Sequence, residues 1–70
     1  MRRNKIATGY FTSLVKDYNL EYIGRSKEGK GWEGIYRDKN GQLYAIDYAD
    51  YMGGGPDVLF TIDTMPELES

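Results

Sequence analysis

The residues with the clearest chemical potential lie in the second half of the chain. Asp47, Asp50, Asp57 and Asp63 are interleaved there with Tyr44, Tyr48 and Tyr51. The chain has no histidine and no cysteine. Ser–His and Cys–His nucleophile pairs are therefore excluded, as are the usual zinc donors. Paired carboxylates remain for acid–base work, but glycosidase carboxylates flank a substrate cleft. A chain of 70 residues has little room for one. Aspartates can also hold a hard cation through oxygen, yet the calcium-loop pattern of alternating acids with glycine at the sixth position is absent. The expectation is a non-enzymatic protein with no cofactor and no metal, whose acids act through charge.

The charge distribution supports that expectation. Residues 1–39 hold all nine basic residues and five acidic ones, a net +4. Residues 40–70 hold six acidic residues and no Lys or Arg, a net −6. Asymmetry of this kind suits a charged partner. Two surfaces compete for the role. Asp47, Asp50, Asp57 and Asp63 with Tyr44, Tyr48 and Tyr51 form a candidate acidic, tyrosine-rich face. Arg25, Lys27, Lys30 and Arg37 beside aromatic rings form a candidate nucleic-acid platform, on which bases stack and cations track phosphates. A pI of about 4.9 and the acidic second half favour the first.

The elements that must position these residues centre on Trp32–Tyr51, which reads as a β-hairpin. Asp38-Lys39-Asn40-Gly41 is its turn. A type I turn with a glycine bulge sets Tyr36 opposite Tyr44 and Trp32 opposite Tyr48; a tight turn on Asn40-Gly41 sets Ile35 opposite Ile46. The bulged form is favoured because Asp and Gly stand at its two ends. One face then carries an aromatic row of Trp32, Tyr36, Tyr44 and Tyr48, read chiefly as the core of a small sheet for Trp32 and Tyr36.

Upstream, Ile6, Ala7, Tyr10, Phe11, Leu14, Val15 and Tyr18 follow helical spacing. They predict an amphipathic helix over about 6–18, with Asn4 or Thr8 as N-cap and Asn19 as a left-handed C-cap. Leu20–Arg25 is a strand candidate, and Ser26–Gly31 a polar loop lacking the Gly-Lys-Ser/Thr pattern of a phosphate loop. Asp50–Asp57, with three glycines, is a connection, and Val58–Asp63 is the strongest strand. Residues 1–5 read as a basic arm and 64–70 as an acidic tail, both candidates for disorder. The fold expected is α+β: one domain over 1–70, with an N-terminal helix on an antiparallel sheet of three to four strands in an α-β-β-β-β meander.

A domain this small buries only roughly 60% of its unfolded surface, and without disulfide or metal a partner chain is the remaining staple. A homodimer is therefore expected. The basic N-terminus lacks the apolar core of a targeting segment, and no apolar run nears the ~20 residues of a membrane span. With no cysteine, these features set a cytoplasmic expectation.

In composition, and in the stretch DYADYMGGGPDVLFTID, the chain resembles the small phage-encoded proteins that take over a bacterial host or block its defences, including those that mimic DNA. The resemblance implies an inhibitor that occupies a basic, nucleic-acid-binding host protein through the acidic face. The alternatives are a nucleic-acid-binding module and a structural or assembly subunit. The two oppositely charged halves also suit attraction across a dimer.

Overall fold

A computed structural model of the chain describes residues 2–28, 33–48 and 55–69. The elements are β1 (Arg3–Gly9), α1 (Phe11–Tyr18), β2 (Glu21–Arg25), β3 (Glu33–Arg37), β4 (Leu43–Asp47) and β5 (Asp57–Ile62). The strands form one five-stranded sheet in the order β1-β5-β4-β3-β2, with every neighbouring pair antiparallel. The architecture is α+β as expected, and β2 to β5 form the expected meander. The correction lies at the N-terminus: the helix is shorter, and a fifth strand precedes it.

The physical reason is visible in residues 3–11. Ile6 and Ala7 fit a helical stripe, but Gly9 costs a helix ~1 kcal/mol relative to Ala, and the stripe is already complete with Phe11, Leu14, Val15 and Tyr18. Meanwhile β5 is strongly apolar and has an outer edge to fill. Arg3–Gly9 fills it, from Arg3 opposite Ile62 to Gly9 opposite Asp57, with a bulge at Ile6. The segment read as a basic arm therefore enters the sheet. Asn4 and Thr8, proposed as helix caps, are strand residues.

The N-cap of α1 is Tyr10, which supplies no side-chain cap. The Asp57 carboxylate does so instead, accepting the Phe11 N–H at 2.9 Å. Asp57 is fully buried and faces Gly9 across the β1–β5 pair, so it stands beside the start of the helix. At the other end Asn19 takes the expected left-handed conformation, φ 54°. Its N–H reaches the Lys16 carbonyl at 3.2 Å, while the Leu20 N–H reaches Val15 at 2.9 Å.

The β3–β4 turn has the bulged form. Gly41 has φ 89°, a conformation that favours glycine, and its N–H reaches the Asp38 carbonyl at 3.1 Å. Asp38 Oδ1 accepts the N–H groups of Asn40 and Gln42 at 2.9 and 3.0 Å. Tyr36 consequently pairs with Tyr44, and Ile35 with Ala45, the register favoured from sequence.

Both faces of the sheet are covered. On the helix side Leu14 and Leu20 pack with Tyr36, Tyr44, Ile46 and Leu59; on the opposite side Ile35, Ala45 and Ile62 pack with Ile23, Leu43 and Leu68. Ile35, Ile46 and Leu59 are fully buried, and each such side chain contributes roughly 1.5–3 kcal/mol. Leu68 belongs to the C-terminal segment, which crosses this second face and forms an antiparallel bridge with Ser26 beyond β2. The segment read as a tail is thus part of the fold.

Removing the remote helix cap leaves the Phe11 N–H without its carboxylate. Asp57→Ala is expected to lower stability by about 1–3 kcal/mol, the cost of orphaning a buried partner of a charged hydrogen bond. Urea denaturation followed by circular dichroism checks this.

Candidate functional site

The acidic residues proposed as one surface are dispersed. Asp57 is buried under the helix start and presents no charge to solvent. Asp47 is exposed at the end of β4, opposite Val58 and Glu33. Asp63 is exposed beyond the other end of β5, where its Oδ1 accepts the Arg2 N–H at 2.9 Å. Six residues of strand rise separate it from Asp57, about 20 Å at ~3.3 Å per residue. Asp57 must therefore be removed from the acidic face: strand alternation turns its side chain to the helix side, where a carboxylate is kept by the amide it caps. Asp50 and Tyr51 lie outside the described residues, as do Trp32 and Lys30.

The tyrosines of that face are largely internal. Tyr44 is buried in the helix-side core. Its hydroxyl donates to Asp38 Oδ2 at 2.8 Å, and its ring leans on Tyr18 at 6.3 Å. Tyr48 is half-buried. Its ring meets Phe11 edge-on at 5.4 Å, and its hydroxyl and that of Tyr36 share a hydrogen bond of 2.6 Å. Gly34 gives Tyr48 its seat: a Cβ there would lie 2.9 Å from Tyr48 Cζ and 3.0 Å from Tyr36 Cε1. The aromatic row is thus core for Tyr36 and Tyr44, the reading favoured for Tyr36. Tyr22 stands at the edge of the row, its ring 5.4 Å from Tyr36 and 53% exposed.

Burial acts on these hydroxyls in one direction. Loss of solvation, joined by the Asp38 charge and hydrogen bond, pushes Tyr44 up to about 12. Tyr48 is raised by burial first and then by its bond to Tyr36; Tyr36 is raised by burial. The Asp38 carboxyl is held below its ordinary range by the Tyr44 hydroxyl first and by the turn amides after it. Asp63 is lowered chiefly by the Arg2 amide.

The basic set is engaged as well. Lys27 pairs with Glu67 at 2.7 Å and Arg37 with Glu21 at 3.4 Å; Arg25 sits at the end of β2 and is exposed. Sequence reasoning missed the most enclosed ion pair, a two-pronged bridge from Arg3 to Glu33 with Nη2 donating to Oε1 at 2.8 Å. Glu33 is buried. The Arg3 guanidinium also lies 5.7 Å from the centroid of the Phe60 ring, and the glutamate raises its pKa. The pair reaches from β1 over β5 and β4 to β3. In a flat sheet that is three spacings of ~4.8 Å sideways and, because Arg3 stands level with Arg37, four residues of ~3.3 Å along the strands, so the sheet must twist and curl toward this face for the pair to close. No sequence signal marks Arg3 and Glu33 as partners.

Six large apolar side chains are also exposed among the described residues, three of them within residues 6–11 and the others Tyr18, Tyr22 and Met65. Ile6 on β1 is 42% exposed, Tyr10 70% and Phe11 40%. Sequence periodicity had placed all three in the buried stripe of a longer helix. Ile6 lies on, and Tyr10 and Phe11 directly follow, an edge strand that pairs only with β5 among the described residues. Two open depressions, of about 210 Å³ beside Arg2, Thr61 and Asp63 and about 260 Å³ beside Leu20, Arg37 and Asp38, fall below the ~300 Å³ at which small-molecule pockets begin. Among the described residues no group of His, Cys, Asp and Glu could hold a metal ion, and no helix is long and apolar enough to cross a membrane. Comparison of the chain with protein-family models, curated proteins and solved structures gives no match.

Two outcomes follow from the tyrosine cluster. Gly34→Ala is expected to cost about 1–3 kcal/mol through overpacking and to weaken the Tyr36–Tyr48 bond, read as a lower urea midpoint. Alkali has a definite sign. The folded state holds the Tyr44 proton from the ordinary value near 10 up to about 12, while the unfolded chain releases it, so stability falls as pH rises through this window. Tyrosinate absorbance is expected to rise in two stages. The later stage should belong to Tyr36, Tyr44 and Tyr48, whose hydroxyls are raised by burial, and should coincide with loss of the folded circular dichroism signal.

Proposed function

We propose that the chain is a small protein-binding module that engages another protein along the β1 edge and the side chains of Ile6, Tyr10 and Phe11. One observation carries this reading: a strand edge with no partner among the described residues, and three large apolar side chains left in solvent along it and just beyond it. An edge strand offers a row of main-chain donors and acceptors to an incoming strand, and aromatic anchors supply the contact energy that hydrogen bonds alone do not. The bulge at Ile6 and the charge of Lys5 are devices that deter indiscriminate edge pairing. They favour a selective partner over aggregation.

This reading keeps the expected class, a non-enzymatic binder, and moves its surface. Of the acidic face, Asp57 and Tyr44 are inside, and the exposed Asp47 and Asp63 stand toward opposite ends of the sheet. Of the candidate nucleic-acid platform, Lys27 and Arg37 each meet a carboxylate at the surface, which lowers the positive charge they present.

Ile6→Glu combined with Tyr10→Glu leaves the core untouched and should leave the circular dichroism spectrum unchanged. The wild-type chain used as bait is expected to retain a partner that the double variant loses by at least about tenfold, or ~1.4 kcal/mol. Hydrogen exchange on the recovered complex should show new protection over residues 3–9. Equal retention by a folded double variant would place the binding surface elsewhere.

A further inference from the structure

The opposite edge of the sheet is occupied by the chain itself. At the end of β2 the Lys27 N–H donates to the Glu67 carbonyl at 3.0 Å and the Glu69 N–H to the Arg25 carbonyl at 2.9 Å. These two main-chain bonds flank the bridge between Ser26 and Leu68. Leu68 lies against Gly24, where an added Cβ would stand 3.2 Å from Leu68 Cδ1, and it completes the cluster of Ile35, Ala45 and Ile62. The Lys27 ammonium meets the Glu67 carboxylate at 2.7 Å, with both side chains exposed.

These are the components of strand addition: paired main-chain groups for affinity, and a notch for one side chain with a matching charge for selectivity. The notch exists because residue 24 has no side chain. The flanking charge is positive, and the occupant's is negative. The tie is limited: two main-chain bonds, a solvent-screened ion pair of the kind that contributes little, the buried ring of Pro66, and one leucine that remains partly exposed. A tethered segment holds its site at an effective concentration on the order of millimolar, so an untethered segment with better contacts can replace it.

We propose that the β2 edge from Gly24 to Lys27 is a docking groove for an extended segment of a partner protein in which a leucine is flanked by carboxylates, and that residues 64–69 are its displaceable resident. Release of the resident exposes the groove and the apolar cluster behind it. The chain then has a second interface, at the far edge of the sheet from β1, that is closed until a competitor arrives.

The probe is a synthetic peptide of sequence TMPELES titrated into the full-length chain, with amide shifts read by NMR. The resident is weakened by Leu68→Ala together with Glu67→Lys in the full chain. Because apparent affinity scales with the fraction of competent groove, the weakened chain should bind the peptide at least about tenfold more tightly than wild type, with shifts centred on residues 23–27. Gly24→Val added to the weakened chain is expected to abolish binding, as is replacing the peptide by TMPEAES. A folded, weakened chain that ignores the peptide overturns the proposal. Equal binding of TMPEAES overturns it too, by showing charge without a leucine notch. A weakened chain that no longer folds also overturns it, because residues 64–69 are then a fixed part of the core.

Discussion

The hydrogen bond between the Asp57 carboxylate and the Phe11 amide joins the two layers of this protein. An eight-residue helix is too short to persist in water by itself, and the residue at its N-cap, Tyr10, supplies no side-chain cap. A carboxylate can be buried only where its charge is met by donors. Asp57 therefore fixes where the turn after β1 stands above β5. Once that corner is set, Leu14 reaches the core, Phe11 meets Tyr48 and Tyr18 meets Tyr44. The helix in turn covers the face on which Tyr36 and Tyr48 share their hydroxyls.

The change of charge sign along the chain finds part of its outlet inside the molecule. Glu67, from the acidic half, pairs with Lys27 from the basic half, and Asp63 receives the amide of Arg2. Each contact brings the last residues of the chain to an element formed much earlier. Arg3 and Glu33, both from the first half, pair across the sheet at greater depth. Segregation of charge in sequence thus becomes pairing in space, and the acids that looked like a continuous face occupy separate ends and sides of the sheet.

Much of the fold was legible because local chemistry and tertiary structure agree. Asp38 and Gly41 select the bulged turn that sets the Tyr36–Tyr44 register, Asn19 ends the helix in the left-handed region, and the β-branched run at 58–62 is a strand. The failures occur where two periods overlap or where a partner is remote. Ile6, Ala7, Tyr10 and Phe11 satisfy a helical spacing, yet the empty edge of β5 draws Arg3–Gly9 into the sheet. Asp57 looks like a surface acid because its partner is 46 residues away. For the same reason the exposure of Tyr10 and Ile6 was hidden: a residue's side of the molecule cannot be read until its element is known.

The pairing of β1 with β5 has a consequence for biosynthesis. The strands from β2 to β5 form a meander in which each pairs with the next, while β1 is the neighbour of β5, Arg3 lying opposite Ile62. A chain emerging from the ribosome therefore carries β1 without this partner until β5 has been made. Contacts so distant in sequence are costly to close. During that interval the outer edge of β1 and its unfilled inner edge are both open to whatever a nascent chain meets.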